Sequence, residues 1–534
     1  MKKLKKLLPV LIMSIMSVSA FAEDAVIDGI NYSLNDKTSE AKVKSHSNKY
    51  SGDITIPETV DYAGKTYSVT SIGEYAFYNC TDLTSVNIPN SVTTIGDGAF
   101  DRCSGLTSIT IPNSVTDIGS SAFGSCSGLT SIIIPNIVTN IGSYAFGGCS
   151  GLTSINIPNS VTTINTGVFW KCTGLTSVTI PNSVTAIESS AFESCSSLAS
   201  ITIPNSVTTI GDEVFISCTG LTSVTIGKGV TTIGDGAFFD CPSLESIIIE
   251  YDNFVYDSRD NSNAIIETET STLITGCKNT VIPVSVTAIG DGAFYGCSGL
   301  TSITIPNSVT TIGKGAFFGC TGLTSITIPK SVTKIGDGIF TATGLETITV
   351  ENSNPVYDSR DNGNAIIETK TNTLIAGCKN TVIPSSVTTI NDFAFFLCPG
   401  LTSIVIPNSV TSIGECAFYG CTDLTSIISL IEEPFEIEDD VFEMADDVPF
   451  TSEFTTATLY VPTGTKAKYE SMPAWNMFTN IVEGIENDVK SVETDAKAEE
   501  TERYNIGGQR INSPQKGLNI VKMSNGTTRK VVVK

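Results

Sequence analysis

Hydrophobic residues recur along most of the chain in a fixed 23-residue pattern, from about Ser68 to Ser426. In the copy that begins at Leu300, alternating apolar positions predict a strand with its apolar side inward. Pro306 ends that strand, because proline cannot donate to a strand ladder. A second short apolar stretch follows, and an Ala-Phe pair near a cysteine fits a short helical or turn segment. The inward positions of this copy are Leu300, Ile303, Ile305, Val309, Ile312, Ala316, Phe317 and Cys320.

Cysteine marks the register of these repeats, and a period of this size predicts a solenoid with one coil per repeat. We therefore expect a mainly β fold of 23-residue coils with short helical turns. It should be capped at both ends, because one coil buries too little apolar surface to be stable alone. The cysteines at this position are Cys80, Cys103, Cys126, Cys149, Cys172, Cys195, Cys218, Cys241, Cys297, Cys320, Cys398 and Cys421.

The recurring pattern L-x-x-I-x-I-P-x-S-V-x-x-I-x-x-x-A-F-x-x-C resembles the BspA-like family of leucine-rich repeat proteins. The resemblance covers roughly residues 54–426, in about thirteen copies. It implies a leucine-rich-repeat solenoid of a bacterial or protist surface protein that is tied to adhesion and to binding host proteins. It implies no enzymatic activity. The sequence departs from the pattern at Val168 and Val214, at Gly227, and in the coil around Phe340, which lacks its cysteine.

Segments on either side of the repeats fit caps, which a repeat stack needs at its ends. Short alternating stretches in residues 23–67 predict an N-terminal β cap. Residues 427–483 predict a C-terminal cap, with a strand over residues 457–462. There, Trp475 and Phe478 are placed to seal the last coil.

Two nearly identical segments interrupt the 23-residue rhythm, near residues 251–275 and 352–376. Polar turn residues between apolar runs predict a hairpin in each, and the two hairpins would project as similar prongs. Their acidic residues do not match the spacing of a calcium-binding loop, so we expect solvated turns and no metal. The candidate prong residues are Tyr256, Asp257, Arg259, Asp260, Tyr357, Asp358, Arg360 and Asp361.

Both ends of the chain carry features of export. Residues 1–22 combine a basic start, an apolar run and an A-x-A site, which predict a signal peptide cleaved near Ala22. No other run is long and apolar enough for a transmembrane anchor. Residues 484–502 predict a flexible linker. Residues 503–534 resemble the C-terminal sorting segment of type IX secretion substrates. That resemblance implies contact with secretion machinery and an extracellular or outer cell-surface location, and a small terminal β-hairpin is the alternative.

Charge and candidate chemistry argue against nucleic-acid binding and catalysis. The chain has 31 Lys and Arg against 55 Asp and Glu, a net charge of −24, and so repels nucleic acid. Its one histidine, His46, lies in a polar stretch that offers no setting for a catalytic base. We find no hydrolase, metalloprotease or phosphate-loop motif, and therefore expect no enzyme and no cofactor. The cysteines form no C-x-x-C pair, and side chains stacked on parallel coils predict buried thiols rather than disulfides or zinc.

One polar surface does recur from coil to coil. With Leu and Ile pointing inward, Ser and Thr on the main strand of each coil should point outward as two columns of hydroxyls. Strand preference alone also explains the threonines. A candidate binding face would consist of Ser108, Thr110, Ser177, Thr179, Ser200, Thr202, Ser223, Thr225, Ser302, Thr304, Ser325 and Thr327.

These features predict a secreted or cell-surface leucine-rich-repeat protein that binds extracellular proteins or glycans. The uniform face predicts weak, multivalent engagement rather than one sharp pocket. The alternative is a structural surface-layer spacer without a specific ligand. Regular hydroxyl columns also fit an ice- or crystal-surface binder, which the prolines disfavour.

Overall fold

The structure is a computed structural model, which describes residues 23–442, 457–485, 500–505, 510–523 and 528–533. The predicted signal peptide, residues 1–22, and most of the predicted linker lie outside the described residues. The chain divides into two compact units, one ending at Cys172 and the other beginning at Thr173. Each unit is described by itself below.

Both units are built from the same coil of β-solenoid, as the periodicity predicts. Each complete coil has a main strand, a proline corner, a short strand of about two residues, and a turn segment that carries the Ala-Phe pair and the cysteine. The inward Leu, Ile, Val, Phe and Cys side chains are almost all buried, so they form a continuous core inside each unit. The turn segment forms consecutive turns rather than helix, and Gly315 there has a positive φ of 54° that glycine adopts without strain.

The unit that ends at Cys172 begins with an antiparallel meander, Glu23–Ile27, Ile30–Asn35 and Glu40–Lys44. Its third strand pairs in parallel with Lys65–Ile72, which in turn pairs antiparallel with Thr59–Tyr62. The main strands are Gly52–Thr55, Leu83–Asn87, Ser108–Thr110, Ser131–Ile132 and Ser154–Asn156. The short strands are Thr94–Ile95, Asp117–Ile118, Asn140–Ile141 and Thr163–Ile164.

The unit that begins at Thr173 has main strands Ser177–Thr179, Ser200–Ile203, Ser223–Ile226, Ser246–Ile249, Ser325–Ile328, Thr347–Val350, Ser403–Ile406, Ser426–Ser429, Thr458–Pro462 and Asn480–Ile485. Its short strands are Ala186–Ile187, Thr209–Ile210, Thr232–Ile233, Ala288–Ile289, Thr311–Ile312, Lys334–Ile335, Thr389–Ile390 and Ser412–Ile413. Neighbouring coils pair in parallel, so equivalent residues lie side by side.

The last coils carry the only α-helix in the described residues, Lys466–Ser471, with 3-10 turns at Asp439–Val441 and Trp475–Met477. Trp475 is buried, and its indole N–H donates to the Phe435 carbonyl at 3.0 Å. A separate antiparallel sheet follows, here called the C-terminal sheet. It consists of Glu500–Asn505, Arg510–Ile511, Gly517–Met523 and Thr528–Val533.

Buried aromatic and thiol ladders run along the turn segments. Phe77 and Phe100 stack with ring centroids 4.9 Å apart, and the same stacking continues in later coils. The Cys103 thiol donates to the Phe77 carbonyl of the preceding coil at 3.0 Å, a contact that recurs at most ladder cysteines. Burial raises the pKa of the Cys149 thiol to about 12, which keeps this donor protonated. All fifteen cysteines are free thiols, which confirms the predicted thiol ladder.

The departures from the repeat pattern are accommodated without breaking the core. Val168 and Val214 are buried where other coils have alanine. In the coil around Phe340, Thr343 occupies the place of the missing cysteine. Its hydroxyl donates to the Phe340 carbonyl at 2.9 Å, and the buried hydroxyl is thereby satisfied.

The two interruptions are three-stranded meanders rather than simple hairpins. The first excursion contains Tyr256–Asp257, Ile265–Glu267 and Thr272–Thr275, with a 3-10 turn at Arg259–Asn261. The second contains Tyr357–Asp358, Ile366–Glu368 and Thr373–Ala376, with a 3-10 turn at Arg360–Asn362. In each, the third strand pairs in parallel with the short strand of the next coil. The excursions are therefore partial coils of the solenoid.

Each excursion inserts between the main strands of consecutive coils. The Ile249 N–H donates to the Ser258 hydroxyl at 3.1 Å, and the Val281 N–H of the next coil donates to the Ser262 carbonyl at 3.0 Å. On the turn-segment side, the Asp240 backbone N–H donates directly to the Tyr295 carbonyl at 3.1 Å. The inserted residues therefore separate the coils on the main-strand side only.

Candidate binding surface

The predicted hydroxyl columns lie on the outside of the main strands. Of the twelve candidate residues, ten are exposed, while Ser223 and Thr225 are half-buried. The parallel register places Ser200 beside Ser223 and Thr202 beside Thr225. Hydroxyls of the same column therefore repeat at the strand spacing, roughly 4.8 Å.

These outward hydroxyls differ from the other threonines of the coil in their bonding. Threonines beside the short strands donate to the preceding coil, as Thr208 does to the Thr185 carbonyl at 3.1 Å and Thr231 to the Thr208 carbonyl at 3.2 Å. Within the described residues, none of the twelve candidate hydroxyls has a hydrogen bond to protein. The donors and acceptors of the outer columns are therefore available to a ligand.

The hydroxyl columns are interrupted, which corrects the expectation of one extended face. Ser302 and Thr304 are exposed but belong to no strand, and the main-strand sheet that contains Ser246–Ile249 ends there. A new sheet begins at Ser325–Ile328. The physical reason is the first excursion, whose inserted residues take the hydrogen bonds that the next main strand would make.

The structure contradicts the prediction of projecting prongs, because Tyr256 and Tyr357 are buried. Asp257 and Arg259 form a two-point ion pair with a shortest distance of 2.6 Å, and Asp358 and Arg360 form the same pair at 2.7 Å. Asp260 and Asp361 remain exposed, at positive φ in the 3-10 turns. The excursions pack onto their own coils since their apolar residues continue the core.

An exposed apolar patch, which the sequence reasoning missed, surrounds the first excursion. Tyr251 and Phe254 follow the strand Ser246–Ile249 and are 88% and 87% exposed. Ile248 on that strand is exposed, as are Val281 and Val284 of the next coil. The sequence does contain a signal for this patch, because Ile248 and Val281 stand at an outward position where many other coils have threonine.

The side chains with catalytic or metal-binding chemistry lie at two separate places in the described residues. His46 accepts a hydrogen bond from the Asn48 N–H and lies near the Tyr50 ring. Glu415, Cys416 and Asp440 bring their ligand atoms within 4.8 Å of one another. Burial and the neighbouring Asp440 carboxylate raise the pKa of the Cys416 thiol to about 11, so the thiol is protonated near neutral pH.

Stacked coils of an inward leucine, a main strand and a short strand define a leucine-rich-repeat solenoid. The family model described as BspA type leucine rich repeat region matches residues 65–174, 139–264, 264–360 and 367–469. The chain belongs to the BspA-type leucine-rich repeat family. No curated protein matches the sequence. Within the part of the chain that the structure describes, no helix has the length and apolar character needed to cross a membrane.

Solved structures of bacterial leucine-rich repeat proteins are similar to the chain. A leucine rich cell surface protein from Faecalibacterium prausnitzii is 28% identical, with 85% of this chain and 98% of that chain covered and a TM-score of 0.46. A leucine-rich repeat protein from Bacteroides ovatus is 25% identical, with coverages of 76% and 94% and a TM-score of 0.39.

Proposed function

We propose that this protein is an exported, non-enzymatic scaffold that binds extracellular proteins or glycans at the cell surface. The observation that carries the proposal is a difference in hydrogen bonding between the threonine hydroxyls beside the short strands and the hydroxyls of the outer columns. Hydroxyls beside the short strands are bonded within the protein, whereas none of the twelve candidate hydroxyls of the outer columns has a hydrogen bond to protein in the residues that the structure describes. Solvated hydroxyls in a regular array offer donors and acceptors to a polar ligand without cost from breaking internal bonds.

The regular array favours multivalent binding. Each hydroxyl pair repeats at the strand spacing, so a repeating ligand engages several coils at once and gains affinity from its effective concentration. The interruption at the first excursion limits each run of hydroxyls to a few coils. Several weak contacts with a polymer or a densely displayed surface ligand therefore fit this geometry better than one small molecule.

The apolar patch beside the first excursion favours a protein among the possible ligands. Contiguous exposed aromatic and aliphatic side chains are typical of protein–protein interaction sites, and aromatic anchors contribute much of the binding free energy there. Tyr251 and Phe254 are the most exposed large hydrophobic residues of the described chain. They lie at the end of the hydroxyl run, so one partner could engage both surfaces.

The proposed location at the cell surface rests on sequence features at the two ends of the chain. Residues 1–22 have the composition of a signal peptide, and residues 503–534 resemble a type IX sorting segment. Removing residues 503–534 should abolish surface display in a bacterium that has this secretion route. Surface display of the shortened protein would show that the sorting assignment is wrong.

Binding is tested with purified residues 23–534 on arrays of matrix proteins and glycans. We expect a saturable ligand, and we expect the double variant Thr202→Val/Thr225→Val to weaken its binding several-fold. The matched control is Thr208→Val/Thr231→Val, which changes the same two coils at hydroxyls already bonded within the protein. Absence of any saturable ligand together with ordered self-assembly would instead support a surface-layer spacer.

A further inference from the structure

The outward positions of the last coils carry apolar residues where many earlier coils have threonine. Val405, Ile428 and Tyr460 lie side by side on three neighbouring main strands, here called the apolar stripe. Leu430 packs against the same group. The equivalent position of an ordinary coil is polar and exposed, as at Thr202. The last coils therefore differ from the coils of the hydroxyl columns in carrying apolar outward residues on three paired strands.

The apolar stripe is covered. Ile428 is 0% exposed, whereas Ile248 at the same position of an earlier coil is 50% exposed. Ser426, which also points outward, is buried, and its hydroxyl has no partner in the described residues. Neighbouring strands do not by themselves give this degree of burial, because Thr225 also has strand neighbours on both sides, at Thr202 and Ile248, and is only half-buried.

The C-terminal sheet lies next to this stripe. Its strand Gly517–Met523 approaches the main strand Ser403–Ile406 to within 8 Å between Cα atoms, and Thr528–Val533 approaches Asn480–Ile485 equally closely. The Lys516 ammonium donates to the backbone carbonyls of Asn380 at 2.8 Å and Thr381 at 2.6 Å. A cavity of about 190 Å³ is lined by Lys516 together with Val405 and Leu430.

Charge supports the same association. Residues 500–534 contain seven Lys or Arg and two Glu, although the whole chain has a net charge of −24. A basic sheet is therefore attracted to an acidic solenoid before the apolar contact forms. The complementary charge and the buried apolar stripe are independent observations. The charge follows from the amino-acid composition of residues 500–534, and the burial follows from the exposed fraction of Ile428.

From these observations we infer that the apolar outer face of the last coils is a docking surface for the chain's own C-terminal sheet. The sheet docks there as a detachable cap. Cutting the chain between residues 485 and 500 releases the sheet only when the docking contacts also break. Once released, the sheet leaves an apolar surface exposed on the solenoid. This inference concerns an intramolecular contact and does not depend on the identity of any ligand.

The test uses the full chain with a specific protease site placed within residues 488–497. After cleavage of the folded protein, we expect the two fragments to elute together in size-exclusion chromatography at physiological salt. We also expect slow amide hydrogen exchange over Ser403–Ile406 and Ser426–Ser429, which becomes faster when the C-terminal fragment is removed. Separation of the wild-type fragments at micromolar concentration with unchanged exchange would overturn the proposal.

Point variants identify the docking contacts. Ile428→Thr restores the residue type of other coils and should weaken fragment association by about tenfold or more, because it removes a buried apolar anchor. Lys516→Ala should weaken the fragment association less than Ile428→Thr does.

Ile248→Thr is the matched control, because Ile248 stands at the equivalent position of an earlier coil but is exposed, and it should leave the association unchanged. Equal association for Ile428→Thr and wild type would contradict the assignment, and a complex of twice the chain mass would assign the sheet to a second copy instead.

Discussion

The two excursions are the same structural unit placed in two different surroundings. Asn253 in the first and Asn354 in the second each bond two backbone carbonyls of the preceding coil and accept two N–H groups of their own excursion. Both excursions bury a tyrosine and contain the same Asp-Arg pair. The duplicated sequence therefore reproduces a framework down to individual hydrogen bonds.

The surfaces around the two excursions differ. The first is flanked by exposed Tyr251 and Phe254, whereas the second has Asn352 and Pro355 at the equivalent positions. Among the described residues, Lys516 beside the C-terminal sheet donates to the Asn380 and Thr381 carbonyls, which directly follow the second excursion, and the first has no such contact. The two excursions therefore share one framework but differ in surface: the first is flanked by exposed apolar residues, and the second by polar backbone groups that bond Lys516.

Truncating an equivalent buried isoleucine in each excursion is the strongest test of whether the two excursions share one framework. Ile266→Ala and Ile367→Ala should each lower the free energy of unfolding by about 2–5 kcal/mol, because both side chains are fully buried and a cavity would remain. Urea denaturation followed by circular dichroism measures the loss. The exposed Val284→Ala is the control and should change stability by less than about 0.5 kcal/mol. Unequal losses at the two isoleucines would mean that the frameworks differ energetically.

Removal of the anchoring asparagine should have the next largest effect. Asn253→Ala and Asn354→Ala each leave backbone groups without partners, at a cost of about 1–3 kcal/mol. The Val255, Tyr256, Val356 and Tyr357 amides should then exchange faster with deuterated solvent. Asn352→Ala, at an exposed residue, is the control for Asn354. Unchanged exchange in both variants would show that other contacts hold the excursions in place.

The periodic part of the fold was predictable from sequence because each coil repeats one solution to burying a fixed set of side chains. The 23-residue spacing, the inward Leu and Ile, and the free cysteine ladder all follow from that repetition. Exposure was harder to predict where the repetition breaks. Tyr256 is followed by polar residues in the sequence, yet the meander buries its ring. Tyr251 is an aromatic residue directly after a strand, yet it is exposed. The burial of such residues depends on which coil lies beside them, which local pattern does not encode.

The surface comparison is tested by exchanging the flanking residues. Tyr251→Asn/Phe254→Ser gives the first excursion the polar character of the second, and it should lower affinity for a protein ligand by about tenfold. Stability should not change, because both side chains are exposed. Biolayer interferometry measures the affinity, with Asn352→Tyr as the reciprocal variant. Unchanged affinity would remove the apolar patch from the binding surface and leave the hydroxyl columns as its main component.

The smallest expected effect is a difference in stability between the Asp-Arg pairs of the two excursions when their arginines are replaced. In the described residues, Arg259 bonds the side chain of Asp257 alone, whereas Arg360 also donates to the Asn372 amide oxygen at 2.9 Å and to the Ser386 hydroxyl at 3.4 Å. Lysine cannot reproduce the two-point pairing, so Arg259→Lys should cost less than about 1 kcal/mol. Arg360→Lys should cost roughly one hydrogen bond more, about 0.5–1.5 kcal/mol. A double-mutant cycle between Arg360→Lys and Asn372→Ala measures this bond directly. The first excursion has Ser271 where the second has Asn372, so zero coupling in the cycle would make the two excursions energetically alike and leave only their surfaces to distinguish them.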